Sequence, residues 1–433
     1  MIAAWLDERR QSETGVARPI PLATSGEWAL RDGALSHRGG GFFAVVGARV
    51  RAPLSRLDGA ALPFIDQPEV GLLGLVTAPG PDGALWLLQA KSEPGAVGWV
   101  QAGPAVQATR SNYLRRHGGS ATRFLDLFEA RGGIVGTDHS EQGSRFIAKW
   151  NRNAIVAAPE PFDPGHPNWR WFDAAALRAA LAEDFVVNTD ARSVVASGDW
   201  GLLRGDGPLF SGPSWAEGPP AALRDALREA ASERCGQAEV AALRARLGGR
   251  APAGIERVPL DALPGWAWEG ARFLPPDGRG GVEMVAVEAP GREVARWDQP
   301  LLLPRAQDRA VLALAPRGGR LHVALRVAAE PGFRGRREFG PTWQSDGDAP
   351  EGLAEAFADG PAPVLSVAQS DEGGRFLRCL TRYDVVVLDE PGAQGLGDGV
   401  AWASLPALRR LCATGGTTTN ELRSAVSVLL SLA

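Results

Sequence analysis

An internal repeat constrains this fold most, because a duplicated sequence predicts a duplicated structural unit. Four segments of the first half recur in the same order in the second half. Asp66–Pro68 recurs as Asp298–Pro300, Glu93–Gly95 as Glu330–Gly332, Pro104 and Gln107 as Pro341 and Gln344, and Ser140–Phe146 as Ser370–Phe376. The offsets lie between 230 and 237 residues, so chance agreement of single triplets does not explain them.

Each copy has the same predicted order of elements. A helical pattern opens each copy, at Ile2–Arg10 and Ala221–Leu247, and strands bounded by Gly and Pro follow. Helices are predicted again late in each copy, at 173–181 and 405–411 with Asp173 and Ser404 as N-caps, and after Asn188 and Asn420. The predicted fold class is therefore α+β. Three Gly-Pro pairs in 205–220 place the boundary there, giving domains 1–215 and 216–433.

Composition excludes several classes of protein. The 433 residues are 45% hydrophobic and 22% charged, which is typical of globular chains, and the net charge of −4 disfavours nucleic-acid or anionic-membrane binding. The three cysteines, Cys235, Cys379 and Cys412, are far apart and are predicted to be reduced and buried. Acidic residues interrupt the N-terminal segment and no long apolar run occurs, so we expect a cytoplasmic protein. Only Lys91 and Lys149 are lysines, and the other 44 basic residues are arginine.

A polar run in the first copy is the strongest functional signal. It starts at Gln89 and Lys91, passes the Glu93–Gly95 turn, and continues through 104–113 to His117. Hydrogen-bonding side chains of this variety suit a polyhydroxylated ligand, although a solvated loop is an equally good interpretation of the run. The second copy keeps Glu330 and Gln344 but lacks counterparts of Arg110, Asn112, Tyr113 and His117.

These residues resemble the bacterial NDP-hexose 2,3-dehydratases of antibiotic deoxysugar biosynthesis, over nearly the whole chain. The resemblance is carried by His37-Arg38 before Phe42-Phe43, Gln89–Gly95, Pro104–Tyr113, Ser140–Phe146 with Asn151–Asn153, and Asn188 with Asp190–Arg192. It implies a tandem pair of Nudix-like domains, a homodimer, and a nucleotide-sugar site in each repeat. The expected substrate is a dTDP-linked 4-keto-6-deoxyhexose, with a downstream NADPH-dependent 3-ketoreductase or aminotransferase as partner.

Water elimination across carbons 2 and 3 of such a sugar needs three groups. A base takes the acidified carbon-3 proton, a donor stabilises the carbon-4 enolate, and an acid protonates the departing carbon-2 hydroxyl. The catalytic candidates are Tyr113, His117 and Glu93. Histidine suits either proton transfer because its pKa is about 6.5, although a lone histidine is more often structural. Glu330 repeats Glu93, which favours a shared structural or binding role for this glutamate.

Candidate substrate-binding residues follow from the same chemistry. They are Gln89, Lys91, Gln107, Thr109, Arg110, Ser111, Asn112, Arg145, Arg152 and Trp169, with arginines as forked partners of a diphosphate. Glu330, Gln344, Arg375 and Arg382 would form a second-repeat nucleotide site, accessory or vestigial. Internal salt bridges explain the duplicated arginines equally well, and Trp169 is more often a core residue. We expect Tyr113→Phe and His117→Ala to lower turnover at least tenfold, and Arg375→Ala to have a smaller effect.

No catalytic metal and no redox cofactor are expected. No metal-ligand spacing is present, and the elimination involves no net redox change. One competing hypothesis is a non-catalytic nucleotide-sugar-binding or scaffold protein. Another is a Nudix-type hydrolase, disfavoured because Ser232 replaces a glutamate expected in 228–233.

Overall fold

The computed structural model describes residues 1–53, 55–110, 121–130, 133–204, 209–210, 221–232, 237–289, 294–345, 357 and 360–433. The helices in these ranges are Ile2–Ser12, Ala174–Leu181, Thr189–Ser197, Ala221–Ser232, Gln237–Arg246, Glu390–Gly395, Leu405–Cys412 and Asn420–Leu430. The predicted helical segment 221–247 is thus two helices. The predicted caps Asp173 and Ser404 each accept a backbone N–H of the following helix. Asn188 and Thr419 cap the other two late helices in the same way.

The first half contributes strands β1 Val16–Pro19, β2 Trp28–Arg31, β3 Ala34–His37, β4 Ala44–Arg51, β5 Ala61–Asp66, β6 Gly71–Gly80, β7 Gly83–Ser92, β8 Val100–Pro104, β9 Val106–Ala108, β10 Glu129–Ala130, β11 Gly133–Ile134, β12 Thr137–Ser140, β13 Trp150–Ala157 and β14 Trp169–Asp173. The second contributes β15 Gly254–Val258, β16 Ala267–Glu269, β17 Arg272–Leu274, β18 Gly281–Glu288, β19 Arg296–Leu303, β20 Asp308–Arg317, β21 Arg320–Ala328, β22 Glu338–Gly340, β23 Trp343–Gln344, β24 Leu365–Ser370, β25 Leu380–Val387 and β26 Val400–Ser404.

Each half holds one seven-stranded and most of one five-stranded sheet, with the same strand order in both halves. The seven-stranded sheet of the first half runs β12-β13-β6-β7-β14, with β8 on β7 and β9 on β6. In the second half, β24, β25, β20, β21 and β26 pair in the same way, with β22 on β21 and β23 on β20. The central strand β6 is buried from Gly71 to Ala78, which is typical of a strand covered on both faces.

The halves exchange strands. β1 of the first half pairs antiparallel with β18 of the second, and β15 of the second half pairs antiparallel with β4 of the first. Each five-stranded sheet is therefore completed by a strand from the other half. The main apolar core is also shared, because it contains Leu75 and Val194 together with Leu312 and Val426.

The two Glu-Pro-Gly turns are exchanged in the same manner. The Gly95 N–H donates to the Gly373 carbonyl at 2.8 Å, and the Gly95 carbonyl accepts the Arg378 N–H at 2.7 Å. Gly332 makes the matching bonds in the other direction, to the Gly143 carbonyl and from the Ala148 N–H. Each repeated Ser140–Phe146 or Ser370–Phe376 loop therefore lies against the turn of the opposite half.

We expect Gly95→Ala to lower the free energy of unfolding by about 3 kcal/mol, because the added methyl group has no room. A Cβ atom on Gly95 would lie 1.7 Å from the Phe376 carbonyl oxygen. Chemical denaturation monitored by fluorescence measures the change. Gly26→Ala is the control, since a Cβ there meets nothing within 4 Å, and its effect should stay within about 0.5 kcal/mol. Equal stability of the two variants would contradict the close packing of the turn.

The described cysteines, Cys379 and Cys412, are buried and unpaired by disulfides, as predicted, and burial raises the pKa of each thiol to about 12. Cys235 lies outside the described residues. In the part of the chain that the structure describes, no helix has the length and apolar character needed to cross a membrane.

Candidate active site

A cavity of about 480 Å³ lies at one end of the central strands β6, β7 and β13 of the first seven-stranded sheet. Both halves of the chain line it. The first half supplies the floor through Gly71, Lys91, Asn151 and other residues on or beside β6, β7 and β13. The second half supplies part of the wall, from strand β19 and from the loop between β24 and β25. The loop exchange described above is what brings that second-half loop to this position.

A hydrogen-bonded chain of side chains holds the carboxylate of Glu93 in the floor. Glu93 accepts a hydrogen bond from Gln107 Nε2 at 2.8 Å, and Gln107 Oε1 accepts one from Asn188 Nδ2 at 3.1 Å. The Glu93 side chain is buried, with 5% exposure. The Lys91 ammonium group donates a hydrogen bond to the backbone carbonyl of Gln107 at 3.4 Å. This series of hydrogen bonds fixes the Oε1 atom of Glu93, a residue that lines the cavity.

Asp190 and Lys149 line the same floor, and burial shifts the pKa of both. Burial, followed by the charges of Glu372, Glu141 and Glu93, raises the pKa of Asp190 well above its usual range, which favours the protonated form of this carboxyl group. Burial lowers the pKa of Lys149 to about 8. Lys149 also donates a hydrogen bond to the Glu69 carbonyl, which orients its amine.

Glu141 lies behind this floor as a second buried carboxyl group. It accepts hydrogen bonds at 2.9 Å from Asn151 and from Asn420, which belongs to the second half. Burial and the charge of Glu372 raise the pKa of Glu141 to about 7. A proton acceptor, a proton donor and an ammonium group thus face one cavity, and such a combination supports general acid and base chemistry.

Aromatic rings form the rim of the cavity. The His37 and Phe42 ring centroids lie 4.3 Å apart, and Trp28 packs against Phe43 at 5.0 Å. Phe42 is 41% exposed, and Trp297 of the second half lies in the same wall. Rings in this position offer flat apolar surfaces on which a nucleobase can stack.

Five of the sequence-predicted site residues line this cavity: Lys91, Glu93, Gln107, Thr109 and Arg375. Arg110 is exposed, Gln89 is half-buried, and neither belongs to the lining. The predicted residues Ser111, Asn112, Tyr113 and His117 lie outside the described residues.

The other predicted residues make contacts within the scaffold. Arg152 forms a forked ion pair with Asp138 at 2.8 and 3.1 Å, and the Trp169 indole donates to the Ala105 carbonyl within an apolar cluster. Glu330 is buried beside Gly143, Gln344 accepts a hydrogen bond from the buried Arg326, and Arg382 donates to Ser366. None of these five residues lines the cavity.

The duplicated arginines Arg145 and Arg375 have different surroundings. Arg145 forms an ion pair with Asp308 at 2.7 Å, and both residues line a small cavity of about 70 Å³ between the two halves. Gly71 occupies the position of Asp308 in the first half, since Gly71 pairs with Asn151 as Asp308 pairs with Thr381. Arg375 therefore has no carboxylate at this position. Its guanidinium lies over the Phe43 ring at 4.2 Å, donates to Gln67 at 3.1 Å, and lines the first-half cavity.

This placement changes our expectation for Arg375, which the repeat had assigned to a second-half nucleotide site with a small effect on turnover. We now expect Arg375→Ala to raise KM at least tenfold, because a cavity-lining guanidinium is the forked partner that a diphosphate requires. Steady-state kinetics measure the change. Arg145→Ala is the matched control and should lower stability with little effect on KM; a larger KM effect from Arg145→Ala would reverse the assignment.

Sequence reasoning overlooked Lys149, Asp190 and the aromatic rim as site residues. A signal for Lys149 was present, because the only two lysines of an arginine-rich chain both line this cavity. Asp190 was among the residues that carry the family resemblance, but its equivalent in the second copy is also an acid, Glu421, so the repeat did not single it out as a site residue. Among the described residues, no group of three or more His, Cys, Asp or Glu side chains is arranged to hold a metal ion.

Comparison with known proteins identifies the family of this chain. The sequence profile of the NDP-hexose 2,3-dehydratase family matches residues 1–197 and 238–429. Three similar proteins are named dTDP-4-dehydro-6-deoxy-alpha-D-glucopyranose 2,3-dehydratase. They come from Saccharopolyspora spinosa (32% identity, 99% of this chain and 90% of the relative), Amycolatopsis orientalis (31%, 99% and 89%) and Streptomyces violaceoruber (31%, 99% and 96%). With both halves matched by one profile, the chain belongs to the NDP-hexose 2,3-dehydratase family.

Proposed function

We propose that this protein eliminates water across carbons 2 and 3 of a dTDP-linked 4-keto-6-deoxyhexose, giving the 3,4-diketo-2,6-dideoxy sugar. The single observation that carries the proposal is the cavity floor, in which Glu93, Asp190 and Lys149 supply a base, an acid and a cation. The family and the names of its relatives support the same substrate class.

The cavity has a separate region for each part of such a substrate. The aromatic rim takes the thymine base, the Arg375 guanidinium takes the diphosphate, and the charged floor takes the sugar. This orientation puts the ketosugar against the groups with shifted pKa values. Gln107 and Thr109 at the floor supply hydrogen bonds to sugar hydroxyls.

The proposed reaction starts when the Glu93 carboxylate takes the carbon-3 proton, with the resulting negative charge on the carbon-4 oxygen. The Lys149 ammonium stabilises this enolate. The enolate then re-forms the carbonyl, a double bond forms between carbons 2 and 3, and the carbon-2 hydroxyl leaves as water with the proton of Asp190. The enol product ketonises to the 3,4-diketone. Oxidation states balance across the elimination, so no nicotinamide participates.

Tyr113 and His117 remain candidates for a proton-transfer role beside these three groups. They follow Thr109 of the cavity wall by four and eight positions in the sequence. If Tyr113→Phe and His117→Ala each turn over at less than a tenth of the parent rate, Tyr113 and His117 take part in the reaction. Rates close to that of the parent would mean that Glu93, Asp190 and Lys149 suffice for the proton transfers.

The activity is tested by mixing the protein with dTDP-4-keto-6-deoxyglucose, NADPH and a 3-ketoreductase. The expected result is a dTDP-linked 2-deoxy sugar, detected by mass spectrometry, because the reductase traps the diketone. Recovery of unchanged substrate that co-elutes with the protein would indicate a binding or scaffold protein. Magnesium-dependent release of thymidine monophosphate would indicate a hydrolase. Either result would overturn the proposal.

We propose further that the two halves are tandem Nudix-like domains, that the protein acts in the cytoplasm as a homodimer, and that its product passes to a ketoreductase or an aminotransferase. The matching strand orders of the halves support a duplicated domain. Light scattering of the purified protein tests the dimer, with a mass of one 45.7 kDa chain as the contradicting result.

A further inference from the structure

A second cavity, of about 430 Å³, opens on the second half and shares no lining residue with the candidate active site. Its lining includes five arginines, Arg244, Arg250, Arg334, Arg336 and Arg337. The other lining residues are Leu247, Thr417 and five glycines, so the lining includes no acidic side chain. The proposed function uses none of these residues.

The charge of Arg336 acts on the buried carboxyl group of Glu338, but the cavity lining itself contains no acidic group to balance its five guanidinium groups. None of the five arginines has an ion pair with a described acidic residue, although the chain contains 50 Asp and Glu residues. Contacts with neutral groups hold two of the guanidinium groups in place. Arg336 lies over the Trp150 ring at 4.5 Å, and Arg337 donates to the Gly248 carbonyl at 3.2 Å. Five like charges around one cavity favour a bound anion.

The first half shows what the same scaffold does without this charge. The positions equivalent to Arg334, Arg336 and Arg337 are Val97, Trp99 and Val100, by the offset that relates Glu93 to Glu330. The pairing of β8 with β7 and of β22 with β21 has the same register, which supports this equivalence.

The space is also filled differently in the two halves. The Trp99 indole packs so closely over Gly15 that a Cβ there would lie 1.7 Å from the ring. Phe185, with φ of 59°, occupies the left-handed position that Gly416, with φ of 66°, occupies in the second half. Two large rings of the first half are therefore replaced by an arginine and a glycine. Three positions that are apolar in the first half are arginines in the second half, where they line an open cavity, and the shared fold does not require this difference.

We propose that this cavity is a binding site for a small anion that carries two or more phosphate charges, separate from the substrate site. Guanidinium groups bind phosphate oxygens through paired hydrogen bonds, and glycines let a ligand approach the backbone closely. The cavity volume lies within the usual range for small-molecule sites, about 300–1,000 Å³.

Calorimetric titration with inorganic pyrophosphate tests the site in the full-length protein. Arg244→Ser with Arg250→Ser removes two exposed charges from the lining, and we expect the pyrophosphate Kd to rise at least tenfold. Arg336→Gln, which removes the charge but keeps a polar, hydrogen-bonding side chain, should weaken binding as well. Arg18→Ser with Arg296→Ser is the matched control, because it removes two exposed charges from strands β1 and β19, and its Kd should change less than twofold.

Substrate turnover separates this site from the candidate active site. The Arg244/Arg250 double variant should keep the parent kcat and KM, and Arg375→Ala should retain pyrophosphate binding at the second cavity. The proposal is overturned if the Arg244/Arg250 and control pairs weaken binding equally, which means unspecific attraction. It is also overturned if only Arg375→Ala abolishes binding, which means that pyrophosphate occupies the substrate cavity alone.

Discussion

Glu93→Gln is expected to lower kcat by about 10²- to 10⁴-fold, the range typical of a lost general base. The substitution keeps the shape of the side chain and leaves a hydrogen-bonding partner for Gln107, which contacts the Glu93 carboxylate at 2.8 Å. The buried turn should therefore stay folded while the proton acceptor is lost. Single-turnover measurements with the dTDP ketosugar separate the elimination step from binding, and KM should change little.

The duplication provides a matched control for this variant. Glu330 repeats Glu93 in the second copy and is buried beside Gly143, without lining the cavity. Glu330→Gln should lower kcat less than threefold. A loss of turnover in Glu330→Gln as large as that in Glu93→Gln would show that both glutamates serve the scaffold, and the base would have to be another group.

Lys149→Ala is expected to lower kcat by about 10²- to 10³-fold, the usual cost of removing one donor from a developing oxyanion. The pH profile adds a signature that a purely structural role would not give. Burial lowers the pKa of Lys149 to about 8, so the ammonium form is lost as the pH rises through that value. The parent enzyme should therefore lose kcat above about pH 8.

Lys149→Arg is the informative partner of this variant, because arginine keeps its charge at every accessible pH. It should retain partial activity, and its loss of kcat at alkaline pH should move to higher pH or disappear. An unchanged alkaline limb in Lys149→Arg would assign that titration to another group, such as Asp190, whose proton is also lost as the pH rises.

The sequence predicted the repeat, the helix caps Asp173 and Ser404, and part of the cavity lining. These features depend on local patterns: an Asp or Ser before a helix, or a polar run along one strand. The exchange of strands β1 and β15 left no such pattern, because a strand carries the same alternation whichever sheet it joins. Arg375, which the exchange brings to the first-half cavity, was therefore predicted to lie in a second-half site.

Arg145 and Arg375 illustrate this limit. Their similar sequence segments predicted corresponding roles in the two repeats, yet the residue opposite each arginine in the fold determines its contacts. Asp308 pairs with Arg145, whereas Gly71 leaves the equivalent place open beside Arg375. Desolvation, which shifts the pKa values of Asp190 and Lys149, likewise depends on packing from distant parts of the chain.

The reciprocal exchange of loops has an evolutionary consequence. A gene that kept only the chemically active copy would lose the wall of its own active site, so the other copy stays under selection. Arg375, the proposed partner of the diphosphate, is encoded in that other copy. In chimeras that join halves from two relatives, the donor of the C-terminal half would therefore influence which nucleotide sugar is accepted, while the donor of the N-terminal half would fix the reaction.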